Sequence, residues 1–222
     1  MQTTYCFQRW SEPTEFLPIP AEANDELCVE EKVVYRYKSK DLRNPYTDVS
    51  TSDLYYKSVM WVTEEGIMNG TSDTIFDPNG NVSRGQMVTM LWRAIGEPEP
   101  EATESTFMDV DNDSPYLKPV MWAIEEGIAS GETSESFGVD SVCNRAQVIT
   151  FLYRAAGSPK VSLSQEPFAD VESDAFYYDA VLWTYENAIS NGVSTTEFGI
   201  QNSCNRAQVA VMLHRTFDGS AE

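Results

Sequence analysis

The sequence predicts a mainly α protein: three tandem helix-loop-helix repeats preceded by a small β-rich N-terminal segment. Three observations carry this. The pentapeptide Cys143-Asn144-Arg145-Ala146-Gln147 returns as Cys204-Asn205-Arg206-Ala207-Gln208 and, more loosely, as Val82-Ser83-Arg84-Gly85-Gln86, at an offset of 61 residues both times. At the same offset Trp61, Trp122 and Trp183 align without a gap, as do Phe76, Phe137 and Phe198 and then Arg93, Arg154 and Arg215, and so regular a period marks a repeat architecture. Finally, apolar residues before and after each pentapeptide recur at the four-and-three spacing of a helix with one buried face. The boundaries that follow are 1–44 for the N-terminal segment, 45–100 for repeat 1, 101–160 for repeat 2 and 161–222 for repeat 3.

In the N-terminal segment, Val33, Tyr35 and Tyr37 alternate with Val34, Arg36 and Lys38, which reads as a strand near 33–38. Pro13, Pro18 and Pro20 keep the preceding stretch from forming continuous helix. Each repeat opens with an aromatic residue and Asp-Val (Tyr46-Thr47-Asp48-Val49, Phe107-Met108-Asp109-Val110, Phe168-Ala169-Asp170-Val171). A first helix is predicted near 54–65, 115–126 and 176–187, with Ser114-Pro115 as cap and first helical residue in the second copy. Gly66 and Gly127 supply left-handed C-caps, whereas Ala188 stands there in the third copy and predicts a distorted end. A polar loop closing on Phe76, Phe137 or Phe198 follows. The second helix starts at the pentapeptide: Ser83, Asn144 and Asn205 are N-caps, Gln86, Gln147 and Gln208 complete capping boxes, and Val82, Cys143 and Cys204 precede them as hydrophobic staples. It should run to about 95, 156 and 217.

Composition narrows the function. At 222 residues, 41% hydrophobic and 12% aromatic, the chain can build a packed core. With 15 basic against 35 acidic residues its net charge is −20, which argues against nucleic acid and against an anionic membrane surface. No apolar run suits membrane insertion, and the start carries no signal-peptide pattern. A single histidine and the lack of a nucleophile at motif spacing argue against an enzyme, no paired-carboxylate constellation stands out, and no cofactor is implied. Asp109-x-Asp111-x-Asp113 resembles the start of a calcium loop but lacks the required glycine and glutamate, so no metal site is expected. Cys6 and Cys28 are a candidate disulfide if the protein is secreted. Cys143 and Cys204 read as small buried hydrophobes, or as a pair if the helix starts converge.

Arg84, Arg145 and Arg206 occupy the first helical position, where the macrodipole disfavours a cation. Two readings follow. Helix N–H groups plus a guanidinium can hold a carboxylate or phosphate, or each arginine pairs with an internal carboxylate, Asp48, Asp109 or Asp170. Trp61, Trp122 and Trp183 are either core or platforms for sugar stacking.

Over about three quarters of the chain this pattern resembles S-layer homology repeats. The residues concerned are the aromatic-Asp-Val opening, Tyr, Val and Trp along the first helix, Gly66-Ile67-x-x-Gly70 and Gly127-Ile128-x-x-Gly131, the loop phenylalanine and the arginine pentapeptide. The resemblance implies a pseudo-threefold, three-pronged fold whose inter-repeat grooves bind an acidic, often pyruvylated, secondary cell-wall polysaccharide, with the module secreted and associated with the bacterial cell wall. Carried over by position, Arg84, Arg145 and Arg206 would meet the acidic group, and Gly70, Gly131 and Gly192 would let backbone approach a sugar. The alternative on the same scaffold is a surface module that engages a host or partner protein.

Overall fold

In a computed structural model, residues 44–163 and 168–218 are described; they lie within one compact unit, Asp41–Glu222. The expected strand near 33–38 and the Cys6/Cys28 pair lie outside the described residues. Six helices follow in order: α1 Tyr56–Glu64, α2 Arg84–Ala94, α3 Leu117–Glu125, α4 Arg145–Ala155, α5 Tyr178–Glu186 and α6 Arg206–Phe217. Beyond them the described chain contains only isolated bridges, not strands.

The second helices start where the sequence places them. Ser83, Asn144 and Asn205 accept the N–H of Gln86, Gln147 and Gln208, whose side chains in turn accept the N–H of the cap. The first helices begin two residues later than expected. Ser114 and Pro115 belong to a tight turn in which Ser114 Oγ accepts Tyr116 N–H at 3.2 Å and Ser114 O accepts Leu117 N–H at 3.1 Å. Helical hydrogen bonding then starts behind Tyr55, Tyr116 and Tyr177, none of which caps with its side chain.

The third-repeat distortion does not occur. Ala188 takes φ 53°, beside 69° at Gly66 and 66° at Gly127, and Ile189 N–H still reaches Thr184 O at 2.8 Å, as Ile67 N–H reaches Val62 O at 2.9 Å. The geometry is kept and alanine bears the strain, because a Cβ in the left-handed region is held close to backbone.

The two helices of one repeat do not pack on each other. Each first helix packs instead on the second helix of the preceding repeat: α3 on α2, α5 on α4 and α1 on α6, while α2, α4 and α6 meet one another at the centre. Three prongs result, each shared by two repeats, and the last closes the chain on its beginning. At the centre the main chain forms a ring. Cys143 N–H donates to Val82 O at 2.9 Å, Val82 N–H to Cys204 O at 3.2 Å, and Cys204 N–H to Cys143 O at 3.3 Å. All three residues are fully buried. Cys143 and Cys204 are free thiols, so both act as the buried hydrophobes that Val82 is in repeat 1. Burial pushes the Cys143 thiol up to about 12 and the Cys204 thiol to about 11.

Candidate functional site

The loop phenylalanine is the centre of each junction. Its N–H is held by its own repeat: Asp48 Oδ1 accepts Phe76 N–H at 2.9 Å, Asp109 Oδ1 accepts Phe137 N–H at 2.8 Å, and Asp170 Oδ1 accepts Phe198 N–H at 2.7 Å. The second carboxylate oxygen takes the next amides, Asp77 N–H in repeat 1, Gly138 and Val139 in repeat 2, Gly199 and Ile200 in repeat 3. Burial opposes the ionisation of Asp109 and Asp170. The loop N–H bonds together outweigh it and hold both carboxyls below the usual range.

The carbonyl of the same phenylalanine is held by the preceding repeat. Arg84 Nε donates to Phe137 O at 3.0 Å, Arg145 Nε to Phe198 O at 3.0 Å, and Arg206 Nε to Phe76 O at 2.8 Å. Each guanidinium also lies over the ring of that phenylalanine, 4.7 to 4.9 Å from its centroid. A further bond reaches the glycine loop: Arg84 Nη2 to Ser130 O at 2.6 Å, Arg206 Nη2 to Asn69 O at 2.5 Å, and Arg145 Nη2 to Ser190 Oγ at 2.7 Å. The arginines are buried, with 4%, 4% and 7% of their surface exposed for Arg84, Arg145 and Arg206. Arg145 is also hydrogen-bonded to the side chain of Cys204.

Two sequence expectations are corrected here. Asp48, Asp109 and Asp170 do not pair with the arginines, because their oxygens are occupied by loop amides. The helix N–H groups do not face solvent either. Arg84 N–H bonds Ser141 O and Gly85 N–H bonds Val139 O, both at 2.9 Å; Arg145 and Ala146 use Asn202 O and Ile200 O, and Arg206 and Ala207 use Gly80 O and Pro78 O. Neighbouring loops therefore consume the amides.

The other predicted positions fall nearby in different settings. A Cβ on Gly70 would collide with Ile75 O and the Tyr46 ring; on Gly131, with Thr133 O and the Phe107 ring; on Gly192, with Glu197 O and the Phe168 ring. These glycines let the opening aromatic of each repeat seat against its loop. Trp122 and Trp183 are 4% and 7% exposed and Trp61 is half-buried. The Trp61 ring meets His214 at 4.9 Å and the Trp183 ring meets Tyr153 at 5.6 Å, both tilted, so these two line the shared prongs, and Trp122 belongs to the core. Arg93, Arg154 and Arg215 donate to Ile67 O, Ile128 O and Ile189 O, binding the two helices of a repeat through the first one's C-terminus.

Sequence reasoning did not single out Glu132, Asp77 or Ser190, which lie beside the arginines. Shifting the chain by the repeat offset shows why they differ: Glu132 aligns with Thr71 and Val193, and Asp77 with Gly138 and Gly199. Glu132 Oε1 lies 3.8 Å from Arg84 Nε. Burial pulls the Arg206 guanidinium below its usual value, opposed by Asp77, Tyr46 and Asp48. A cleft of about 850 Å³ opens on repeat 3, with Phe168, Tyr185, Gly192, Val193 and Ser194 in its wall.

A family model described as the S-layer homology domain matches residues 45–88, 106–149 and 167–210. The chain is 27% identical over 181 residues to an endoglucanase from a Bacillus species, a match covering 79% of this chain and 19% of that protein. It is 31% identical over 127 residues to a surface-layer 125 kDa protein of Lysinibacillus sphaericus, covering 55% and 10%. With a cell surface protein of Thermoanaerobacter kivui it shares 29% identity over 117 residues, covering 51% and 15%. The chain thus spans less than a fifth of the length of each of these relatives. The family match and the surface-protein relatives associate the chain with the cell surface. The cyclic arrangement of three equivalent junctions and the triple match lead to one conclusion: the chain belongs to the S-layer homology domain family, of which it carries three consecutive copies.

Proposed function

We propose that this chain is a noncatalytic anchoring module of a secreted, wall-associated protein, and that it grips an acidic secondary cell-wall polysaccharide in the grooves between repeats. A pyruvylated glycan suits the guanidinium groups. One observation supports this reading above others: Arg84, Arg145 and Arg206 each cross from their own repeat to the glycine loop of the next and are held there by hydrogen bonds. A cation held rigidly at the floor of a junction can meet a carboxylate with little loss of side-chain freedom. Gly70, Gly131 and Gly192 fix the loop edges of the same grooves.

Cosedimentation with Gram-positive sacculi tests the reading. Binding to intact sacculi that is lost once the secondary polymer is extracted supports it; binding that survives extraction, or that never occurs, rejects it. A protein partner is the second reading, favoured by Leu54 and Phe176, which stand exposed at equivalent positions of repeats 1 and 3. It predicts that Leu54→Ser and Phe176→Ser abolish surface attachment while wall-polymer binding is absent.

A further inference from the structure

The cleft on repeat 3 lies where repeat 1 is closed by side-chain hydrogen bonds. There the Tyr46 hydroxyl and Thr63 Oγ1 are bonded at 3.2 Å, and Gly70 N–H donates to the Tyr46 hydroxyl at 3.0 Å. In repeat 3 the same three positions hold Phe168, Tyr185 and Gly192. Phenylalanine brings no hydroxyl, and the bulkier Tyr185 meets the Phe168 ring edge to face at 5.4 Å. The cleft of about 850 Å³ is walled by these two rings with Leu163 and Val193. Leu163, Tyr185 and Val193 keep 36%, 38% and 49% of their surface exposed, so the apolar wall faces outward. None of the three junction arginines lines it.

The main chain at the edge of the cleft differs as well. In repeats 1 and 2 the carbonyl before the glycine, Asn69 O or Ser130 O, accepts an arginine Nη2. In repeat 3 Arg145 Nη2 bonds the Ser190 hydroxyl instead, and Gly192 takes φ 81° whereas Gly70 and Gly131 are not in the left-handed region. Repeat 3 alone leaves both groups of this peptide unit, Asn191 O and Gly192 N–H, without a partner among the described residues. Both residues line the cleft. An acceptor and a donor one peptide unit apart match the N–H and C=O of another extended chain.

We propose that this cleft is a docking site for an extended polypeptide segment that carries one bulky apolar side chain flanked by basic residues. The segment's main chain pairs with Asn191 O and Gly192 N–H, and its apolar side chain enters between Phe168, Tyr185, Leu163 and Val193. Aliphatic walls suit such a side chain better than a polyol, whose hydroxyls would lose water there without gaining partners. Charge selects the flanking residues: Glu186 lines the cleft and the protein carries a net charge of −20, so a basic segment is drawn in and an acidic one is repelled. The site is independent of the wall-glycan reading.

Nuclear magnetic resonance of the isotope-labelled full chain tests this. The probes are acetylated tripeptide amides with leucine, phenylalanine or glycine between two lysines, and methyl glucoside. The leucine or the phenylalanine tripeptide should shift the Gly192 and Val193 amide signals saturably, the glycine one should bind about tenfold more weakly or worse, and methyl glucoside should leave those signals in place. Phe168→Tyr combined with Tyr185→Thr copies repeat 1, gives Gly192 N–H an internal partner and should abolish the shifts in a chain that still unfolds cooperatively. If that variant does not fold, Val193→Thr, which copies Thr71 at an exposed position, should weaken binding several-fold. Four results overturn the assignment: no saturable shift with either apolar tripeptide, equal affinity for the glycine one, unchanged binding in the folded variant, or methyl glucoside moving these signals where the tripeptides do not.

Discussion

Asp109→Asn removes one charge and one acceptor at the point where repeat 2 holds its loop. Three N–H groups converge on the carboxylate: Phe137 on Oδ1 at 2.8 Å, and Gly138 and Val139 on Oδ2 at 2.7 and 2.8 Å. An asparagine offers one oxygen, and its NH2 must face the remaining donors. At least one charge-assisted bond is lost outright and the others become neutral. With about 1.5–3 kcal/mol per bond to a charged group, and Asp109 only half-buried so that water can replace part of it, the net loss is about 2–3 kcal/mol at neutral pH. For a domain of this size that lowers the melting temperature by roughly 4–12 °C. Thermal unfolding followed by circular dichroism measures it. The pH dependence sharpens the test. The folded carboxyl titrates below its ordinary value of 3.8, so the stabilisation is present in full above the unfolded value and is lost as pH falls through the folded one. The gap between wild type and variant should therefore be widest at neutral pH and close towards pH 2. A gap below about 0.5 kcal/mol at neutral pH, or one that persists unchanged in acid, refutes the clamp.

Two further substitutions probe the frame. Ala188→Gly relieves a left-handed alanine costing about 1–2 kcal/mol and gives back about 0.4–1 kcal/mol through unfolded-state entropy, so stability should rise by about 0.5–1 kcal/mol in denaturant titration; a fall shows the strain to be absent. Cys143→Val and Cys204→Val copy the residue that repeat 1 already places on the central ring and should change stability by less than about 1 kcal/mol. The native thiols, raised by burial, should resist maleimide at pH 8 and react only on unfolding; rapid native labelling contradicts the packed centre.

Much of this was legible from residue types. Capping boxes are local, so Ser83, Asn144 and Asn205 announced the second helices nearly to the residue. The first helices carry no side-chain cap, and their starts were placed two residues early. What periodicity could not disclose was partnership. An apolar stripe identifies the face a helix buries but not whose face it meets, and nothing in the sequence marks α3 as packing on the helix of the preceding repeat. The arginines show the same limit: residue type suggested an aspartate partner, whereas each reaches main-chain carbonyls of the following loop, invisible in sequence, and Arg145 the Ser190 hydroxyl as well. Glu132 and Asp77 were within reach, since an acid standing where the other copies have valine, threonine or glycine is a visible break in the repeat.

Because α6 returns to α1, copy number is a matter of geometry. Open arrays grow by adding units and need specialised ends, whereas a head-to-tail contact that closes admits one count only. A fourth unit would find its docking face already taken, and a chain with two would expose an arginine and a loop that no other part of it could satisfy. Evolution can therefore lengthen a protein of this kind by adding whole rings or unrelated modules, but not by adding a single further copy to the ring.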